Sequence, residues 1–313
     1  MRYIIIALCL LFAINLSGEN KERDDYILLI SSYSSRYPWP KMIENSFREE
    51  LNLHVDSVKV YSEYLNCDRF SSSEIWVERM KVILRQHSAC PPKIVVLLAD
   101  ASWMAYRKAY NGEWGEVKVL LAGVKDWGVD YDRYCDKQHL SAKDFVATTD
   151  LCKQYNATGL TERVGVSKTI HMMKRLFPDT KNVVLVGDNC FYGIFASLLA
   201  QKFVPEDHPE LNLISLDGRF LTTDSLLRSL EHLPEHTGIV YASWLQDMTS
   251  QTNDFDYINA KIFATVDQPV FTLADWGKGS KDFMGGYYYS MVTYGQQLAE
   301  IAIRLLDGAE PGD

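Results

Sequence analysis

Short β-rich apolar runs alternate with helix-periodic stretches along most of the chain. Residues 26–30 form the first run, and the next stretch sets Trp39, Ile43, Phe47 and Leu51 on one helical face. A strand at 58–61 precedes a helix carrying Trp76, Met80, Ile83 and Leu84. Then come a strand at 94–98, a helix over 102–110 and a strand at 118–121. The rhythm breaks over 127–155, which is polar and has one clear apolar run at 145–147. It restarts with a helix bearing Val166, Ile170, Met173 and Phe177, stopped by Pro178, which disfavours helix in the residue before it. Strands at 183–186, 211–216, 238–241 and 270–273 then alternate with helices over 191–203, 225–233 and 257–264. A short strand follows the pair Gly285–Gly286, and a last helix aligns Tyr294, Leu298, Ile301 and Leu305.

Strand–helix alternation means βαβ units and parallel sheets with helices on both faces. Near-continuous apolar strands such as Ile94-Val95-Val96-Leu97-Leu98 agree, because parallel strands are covered on both sides. The expected fold is therefore α/β, in two βα sets that join near 150–165.

The N-terminus adds a compartment. Arg2, an apolar run over 4–16 broken by Asn15, and an abruptly polar stretch from Ser17 have the layout of a secretory signal over 1–18. A signal-anchor is the alternative, since the small-residue pattern at Ser17 and Gly18 is imperfect; a buried N-terminal helix is the plain one. The run is shorter than the ~20 residues of a spanning helix. Cys9 lies inside it, so no lipoprotein-type cysteine follows. The remaining length suits two lobes, and 47% hydrophobic with 23% charged residues is the composition of a folded protein. A net charge of −9 with no basic stripe argues against nucleic acid. Cys67, Cys90, Cys135, Cys152 and Cys190 follow the leader; Cys67–Cys90 and Cys135–Cys152 are the pairings an exporting compartment could form.

Ligands of open parallel sheets bind beyond the carboxyl ends of the strands. Those ends carry Ser31-Ser32-Tyr33 with Trp39, Asp100-Ala101-Ser102, Gly123-Val124-Lys125-Asp126, Gly187-Asp188-Asn189 with Tyr192, Ser243-Trp244 with Asp247, and Asp275-Trp276. Hydroxyls, carboxylates and aromatics in that mixture suit a small polar or zwitterionic ligand, amino-acid-like in size. Ser and Asp also cap helices whether or not anything binds, and a Trp at such a place can equally be core. No catalytic, phosphate-binding or dinucleotide motif is present, and His232 and His236 flank Pro234, which spoils a helical metal face. The expectation is no catalysis, no metal and no cofactor. Asn156-Ala157-Thr158 matches a glycosylation acceptor.

Ile27-Leu28-Leu29-Ile30-Ser31-Ser32-Tyr33 with Tyr37-Pro38-Trp39 resembles the start of type I periplasmic binding proteins of the ABC-transporter substrate-binding type. More closely, it is similar to the extracytoplasmic sensor domains of bacterial histidine kinases that share this fold. Glu63-Tyr64-Leu65-Asn66, Leu98-Ala99-Asp100-Ala101, Ala122-Gly123-Val124, Thr158-Gly159-Leu160-Thr161-Glu162, Gly187-Asp188-Asn189 with Tyr192-Gly193, and Gly285-Gly286 with Gly295 support it in order and spacing. The resemblance implies two Rossmann-like lobes joined by a multi-strand hinge: 25–155 plus 284–313, and 156–283. It implies crossovers near 145–162 and 273–285, and ligand contacts at Ser32, Tyr33, Asp100, Ala101, Val124, Asp188, Tyr192, Trp244 and Asp275; Trp39 joins them from the strand-end reading. The expected role is a periplasmic or extracytoplasmic sensor, tethered to the membrane through flanking segments and able to form a homodimer. A missing lipid-anchor cysteine and an end at Asp313 favour it over a solute-binding protein serving a transporter. A domain that binds a partner protein instead is the third reading.

Overall fold

The computed structural model describes residues 25–55, 58–275 and 282–312; the leader over 1–18 and Trp276 lie outside them. The first lobe opens with β1 (Tyr26–Ser31), α1 (Pro38–His54), β2 (Lys59–Tyr64), α2 (Ser73–Gln86), β3 (Ile94–Leu98), α3 (Asp100–Ala109) and β4 (Lys118–Lys125). A short antiparallel pair, β5 (Trp127–Gly128) with β6 (Val146–Ala147), encloses α4 (Tyr131–Cys135). After α5 (Thr148–Cys152), β7 (Ala157–Glu162) completes a parallel sheet of order β2-β1-β3-β4-β7. The second lobe contains α6 (Val166–Leu176), β8 (Asn182–Gly187), α7 (Phe191–Asp207), β9 (Asn212–Asp217), α8 (Thr223–Glu231), β10 (Thr237–Tyr241), α9 (Phe255–Thr265) and β11 (Val270–Thr272). Its parallel sheet runs β11-β10-β8-β9. The final helix, α10 (Met291–Leu306), returns to the first lobe and packs on α1.

Period-two alternation decides what each strand buries. In β1, Ile27 and Leu29 face α1 and α10, with Phe47, Leu51 and Leu298. Leu28 and Ile30 face α2 and α3, with Trp76, Met80 and Trp103. In β8, Val183 and Leu185 meet Ile170 and Val204, whereas Val184 and Val186 meet Leu226 and Ile258. Each such side chain contributes about 1.5–3 kcal/mol when fully buried. The two α/β lobes of the sequence reading are present.

The lobe boundaries need correcting. The reading gave residue 156 onward to the second lobe, but β7 pairs with β4 through Val119↔Ala157 and Lys125↔Glu162, so the first crossing comes after Glu162. The same reading returned the chain at 284. There Met284 N donates to Val270 O (2.8 Å) and Thr272 bridges Gly286 in parallel, so 284–286 still lies alongside the second sheet. The cysteine pairings also fail: all five described cysteines are free thiols, with Cys67 packed in the first core and Cys135 exposed beside Ser73.

Candidate functional site

The carboxyl ends of the two sheets face each other, and local backbone devices aim side chains into the space between. In the first lobe Ser32 joins three elements: its Oγ donates to Leu98 O (2.9 Å) and accepts from Ser102 N (2.8 Å). Ala99 takes a left-handed φ of 73° at the β3–α3 turn, a conformation that costs a residue with a Cβ about 1–2 kcal/mol. That turn puts Asp100 at the helix start, where its Oδ1 accepts from Lys125 N (2.9 Å). Strand β4 is irregular between Leu121 and Val124, with Gly123 at φ 62°. Tyr294 of α10 holds the irregularity: its hydroxyl accepts from Gly123 N and donates to Leu160 O. Such a bulge re-aims the residues beyond it, and here Lys125 turns into the cleft.

The Lys125 ammonium meets Glu162 Oε2 at 2.6 Å, Gly123 O at 3.2 Å and Asp100 Oδ2 at 3.8 Å. It also lies 4.9 Å from the ring centroid of Tyr192, which comes from the other lobe. Burial works to lower the Lys125 pKa, but Glu162 and Asp100 outweigh it and hold the ammonium above its ordinary value. Burial pushes Asp100 up to about 6, against the opposing pull of Lys125.

In the second lobe Asp188 is fully buried and ties two turns together, accepting from Cys190 N (3.0 Å) and Leu245 N (2.9 Å). Burial raises its pKa, against those donors. Strand β8 and α7 approach so closely that a Cβ on Gly193 would stand 2.2 Å from Asp188 N. Tyr192 Oη donates to Leu273 O (2.9 Å), and burial pushes its pKa well up. The Ser243 hydroxyl lies against Asp188 and, with those donors, works to hold its pKa down.

These groups line one cavity together with Tyr33, Trp39, Ala99, Cys190, Leu245, Ala274 and Met291. Tyr33 and Trp39 form an edge-to-face corner, with centroids 5.6 Å apart and planes at 70°. The space open to the centre of a water-sized sphere is about 40 Å³. One water needs roughly 10–15 Å³ on that measure, so the cleft holds a few non-hydrogen atoms.

Of the residues expected from sequence, Tyr33, Trp39, Asp100, Asp188 and Tyr192 come together here. Ser32, Ala101, Val124, Trp244 and Asp275 do not line the cavity. Ser32 is spent on the β1–β3–α3 junction, and Ala101 and Val124 lie in the first core. Trp244 is fully buried in the second core, with Nε1 donating to Thr223 Oγ1 (3.1 Å). Asp275 Oδ2 accepts from Met291 N (3.3 Å). Lys125, Glu162 and Ser243 also line the cavity, and no local sequence signal marks them.

The segment that broke the sequence rhythm reaches across to the second lobe. Tyr134 and Phe145 pack on Phe191 at 6.2 and 6.0 Å between centroids, and Phe145 meets Phe195 at 5.4 Å. Lys137 Nζ donates to Asn189 O (2.7 Å). Arg219, paired with Asp217 at 2.7 Å, donates back to Leu140 O (3.0 Å) and Lys137 O (3.3 Å). Helix α7 therefore buries Ala196, Ala200 and Val204 in its own lobe, and Phe191, Ile194 and Phe195 against this strap. Its lack of a polar face follows, because a helix covered on both sides needs none.

The raised Asp100 carboxyl has a measurable consequence. A carboxyl near 6 when folded and about 3.9 when unfolded binds more protons in the folded state between those values. Its contribution therefore falls as pH rises from about 4 to 6, and the cost persists above that. Asp100→Asn keeps an acceptor for Lys125 N and removes the cost. Urea melts at pH 5 and pH 7 should show the variant gaining on the parent by roughly 1–2 kcal/mol between the two; an unchanged difference would contradict the assignment.

The sequence matches no protein-family model and no curated protein. The fold does match solved structures. One is an ABC domain from Streptococcus pneumonia in complex with L-Trp, at TM-score 0.60 and 12% identity over 93% of this chain and 87% of that one. Another is an ABC-transporter solute-binding protein from Bacillus halodurans with bound myo-inositol, at TM-score 0.60 and 10% identity over 93% and 92%. A third is the ligand-free, open substrate-binding protein CD0873 from Clostridium difficile, at TM-score 0.59 and 12% identity over 91% and 86%. The fold is that of the type I periplasmic binding proteins.

Proposed function

We propose that the chain is a ligand-binding domain in which a small molecule occupies the interlobe cleft and favours lobe closure. The observation that carries this is a cavity lined from both lobes at the carboxyl ends of both sheets, the place where open parallel sheets take ligands. Closure around a ligand is a known mode of two-lobed folds, and only tighter binding to the closed state can drive it.

The cleft is not catalytic on this reading. Burial pushes the Cys190 thiol well above its usual range, away from a nucleophilic thiolate. The setting is extracytoplasmic and membrane-tethered, as the sensor of a two-component histidine kinase. Uptake through an ABC transporter is the second reading, favoured by the solute-binding neighbours and the ligands they hold.

A thermal-shift screen with amino acids, nucleobases, short oligosaccharides and simple amines tests the core of this. A true ligand at a hundredfold excess over its Kd should add about 2.7 kcal/mol of stability. It should also lower the radius of gyration in X-ray scattering. If no compound does either, partner binding replaces ligand binding. A deletion strain separates the two settings: loss of a ligand-induced transcriptional response supports sensing, and loss of labelled-ligand uptake supports transport.

A further inference from the structure

Two carboxylates in the cleft share one ammonium. Glu162 Oε2 takes the short contact with Lys125, while Asp100 Oδ2 stands 3.8 Å from it. Asp188 is provided for separately, by two backbone N–H groups, the Ser243 hydroxyl and the nearby Lys137, whose ammonium is bonded to Asn189 O. The Asp100–Glu162 pair is thus one positive charge short, in a place where these side chains and Lys125 are each under a tenth exposed. Buried charges are found paired because leaving them unpaired costs several kcal/mol.

Two backbone donors at the helix starts, where an anion would sit, are already spent. Ser102 N at the start of α3 bonds Ser32 Oγ, and Cys190 N before α7 bonds Asp188. The remaining wall is aromatic: Tyr33, Trp39 and Tyr192. Such faces attract cations within about 6 Å of the centroid. Lys125 itself illustrates the mode, with an alkylammonium held between Glu162 and the ring of Tyr192. Ser243, which lies against Asp188, adds a polar side chain to the wall from the opposite lobe. Among the described residues no cluster of three or more His, Cys, Asp or Glu could hold a metal ion.

We infer that the cleft takes a small organic cation, an ammonium of a few non-hydrogen atoms with no carboxylate of its own. Asp100 and Glu162 meet its charge, and Tyr33, Trp39 and Tyr192 enclose its alkyl part. This rests on the cleft being the ligand site, and it is narrower than the small polar or zwitterionic ligand expected from sequence. A cation fits both the volume of about 40 Å³ and the missing charge.

Calorimetric titration and thermal shift of the folded domain at pH 7.5 test it with methylammonium, ethanolamine and choline chlorides. Glycine, sodium acetate, potassium chloride and myo-inositol serve as comparisons. At least one organic ammonium should bind, glycine and acetate should not, and Glu162→Gln should weaken binding at least about tenfold. Lys125→Met, which removes the competing ammonium, should bind the same compound more tightly; its weakening would count against the cation site. Binding of glycine or myo-inositol unaffected by Glu162→Gln would overturn the cation class and leave the cleft as a ligand site. An equal response to potassium would overturn the organic class. No response to any compound in this set or the wider screen would overturn both.

Discussion

Replacing Trp244 by alanine should cost the protein about 3–5 kcal/mol of stability, the range for truncating a buried aromatic. Trp244 is 0% exposed and packs among Val184, Val186, Leu226 and Ile258 between β8, α8 and α9. Truncation removes that packing and leaves Thr223 Oγ1 without its indole donor. Trp39→Ala is the control. Trp39 lines the cleft and is only partly buried, so its loss should spare more stability and weaken any cleft ligand. Urea unfolding of both variants decides the matter. A Trp244→Ala variant within about 1 kcal/mol of the parent that had lost ligand binding would return Trp244 to the site.

Trp244 shows where sequence reading stops. It and Tyr33 both follow an apolar strand by two or three residues, and composition gives them the same standing. Only the turn geometry separates them: Tyr33 faces the cleft, whereas the β10 turn rolls Trp244 under α8. The strands themselves were legible because β1, β3, β8 and β10 are apolar runs buried on both faces. Strand β7 was not. Ala157-Thr158-Gly159-Leu160-Thr161-Glu162 lies at a sheet edge, half-buried, and offers no run, so the lobe boundary slipped and Glu162 was overlooked. Lys125 escaped for a related reason, since a β-bulge at Gly123 held by a tyrosine 171 residues away leaves no local signal. In the strap, Val129, Tyr134, Leu140, Phe145 and Leu151 are spaced with neither strand nor helix period. They become a face only against α7.

The strap also sets the largest effect expected from a polar substitution. Arg219→Ala removes the guanidinium from Asp217, a carboxylate only 4% exposed, and leaves the buried charge with a single backbone donor, Arg219 N. Breaking one side of a buried pair costs about 3–5 kcal/mol. The same change releases the carbonyls of Lys137 and Leu140, so the loss falls partly on the contact between lobes. Two measurements separate those shares. Lys137→Met breaks the bond to Asn189 O, removes the ammonium near Tyr134 and Asp188, and leaves the Arg219–Asp217 pair intact. It should therefore increase the radius of gyration with little loss of stability, and Arg219→Ala should change both. Ligand affinity should then follow the closed population: if Arg219→Ala lowers the closed fraction to about a tenth, the apparent Kd rises about tenfold with every cleft residue in place. An Arg219→Ala protein with unchanged dimensions and unchanged affinity would show that closure does not depend on the strap, and that Arg219 serves only the interior of its own lobe.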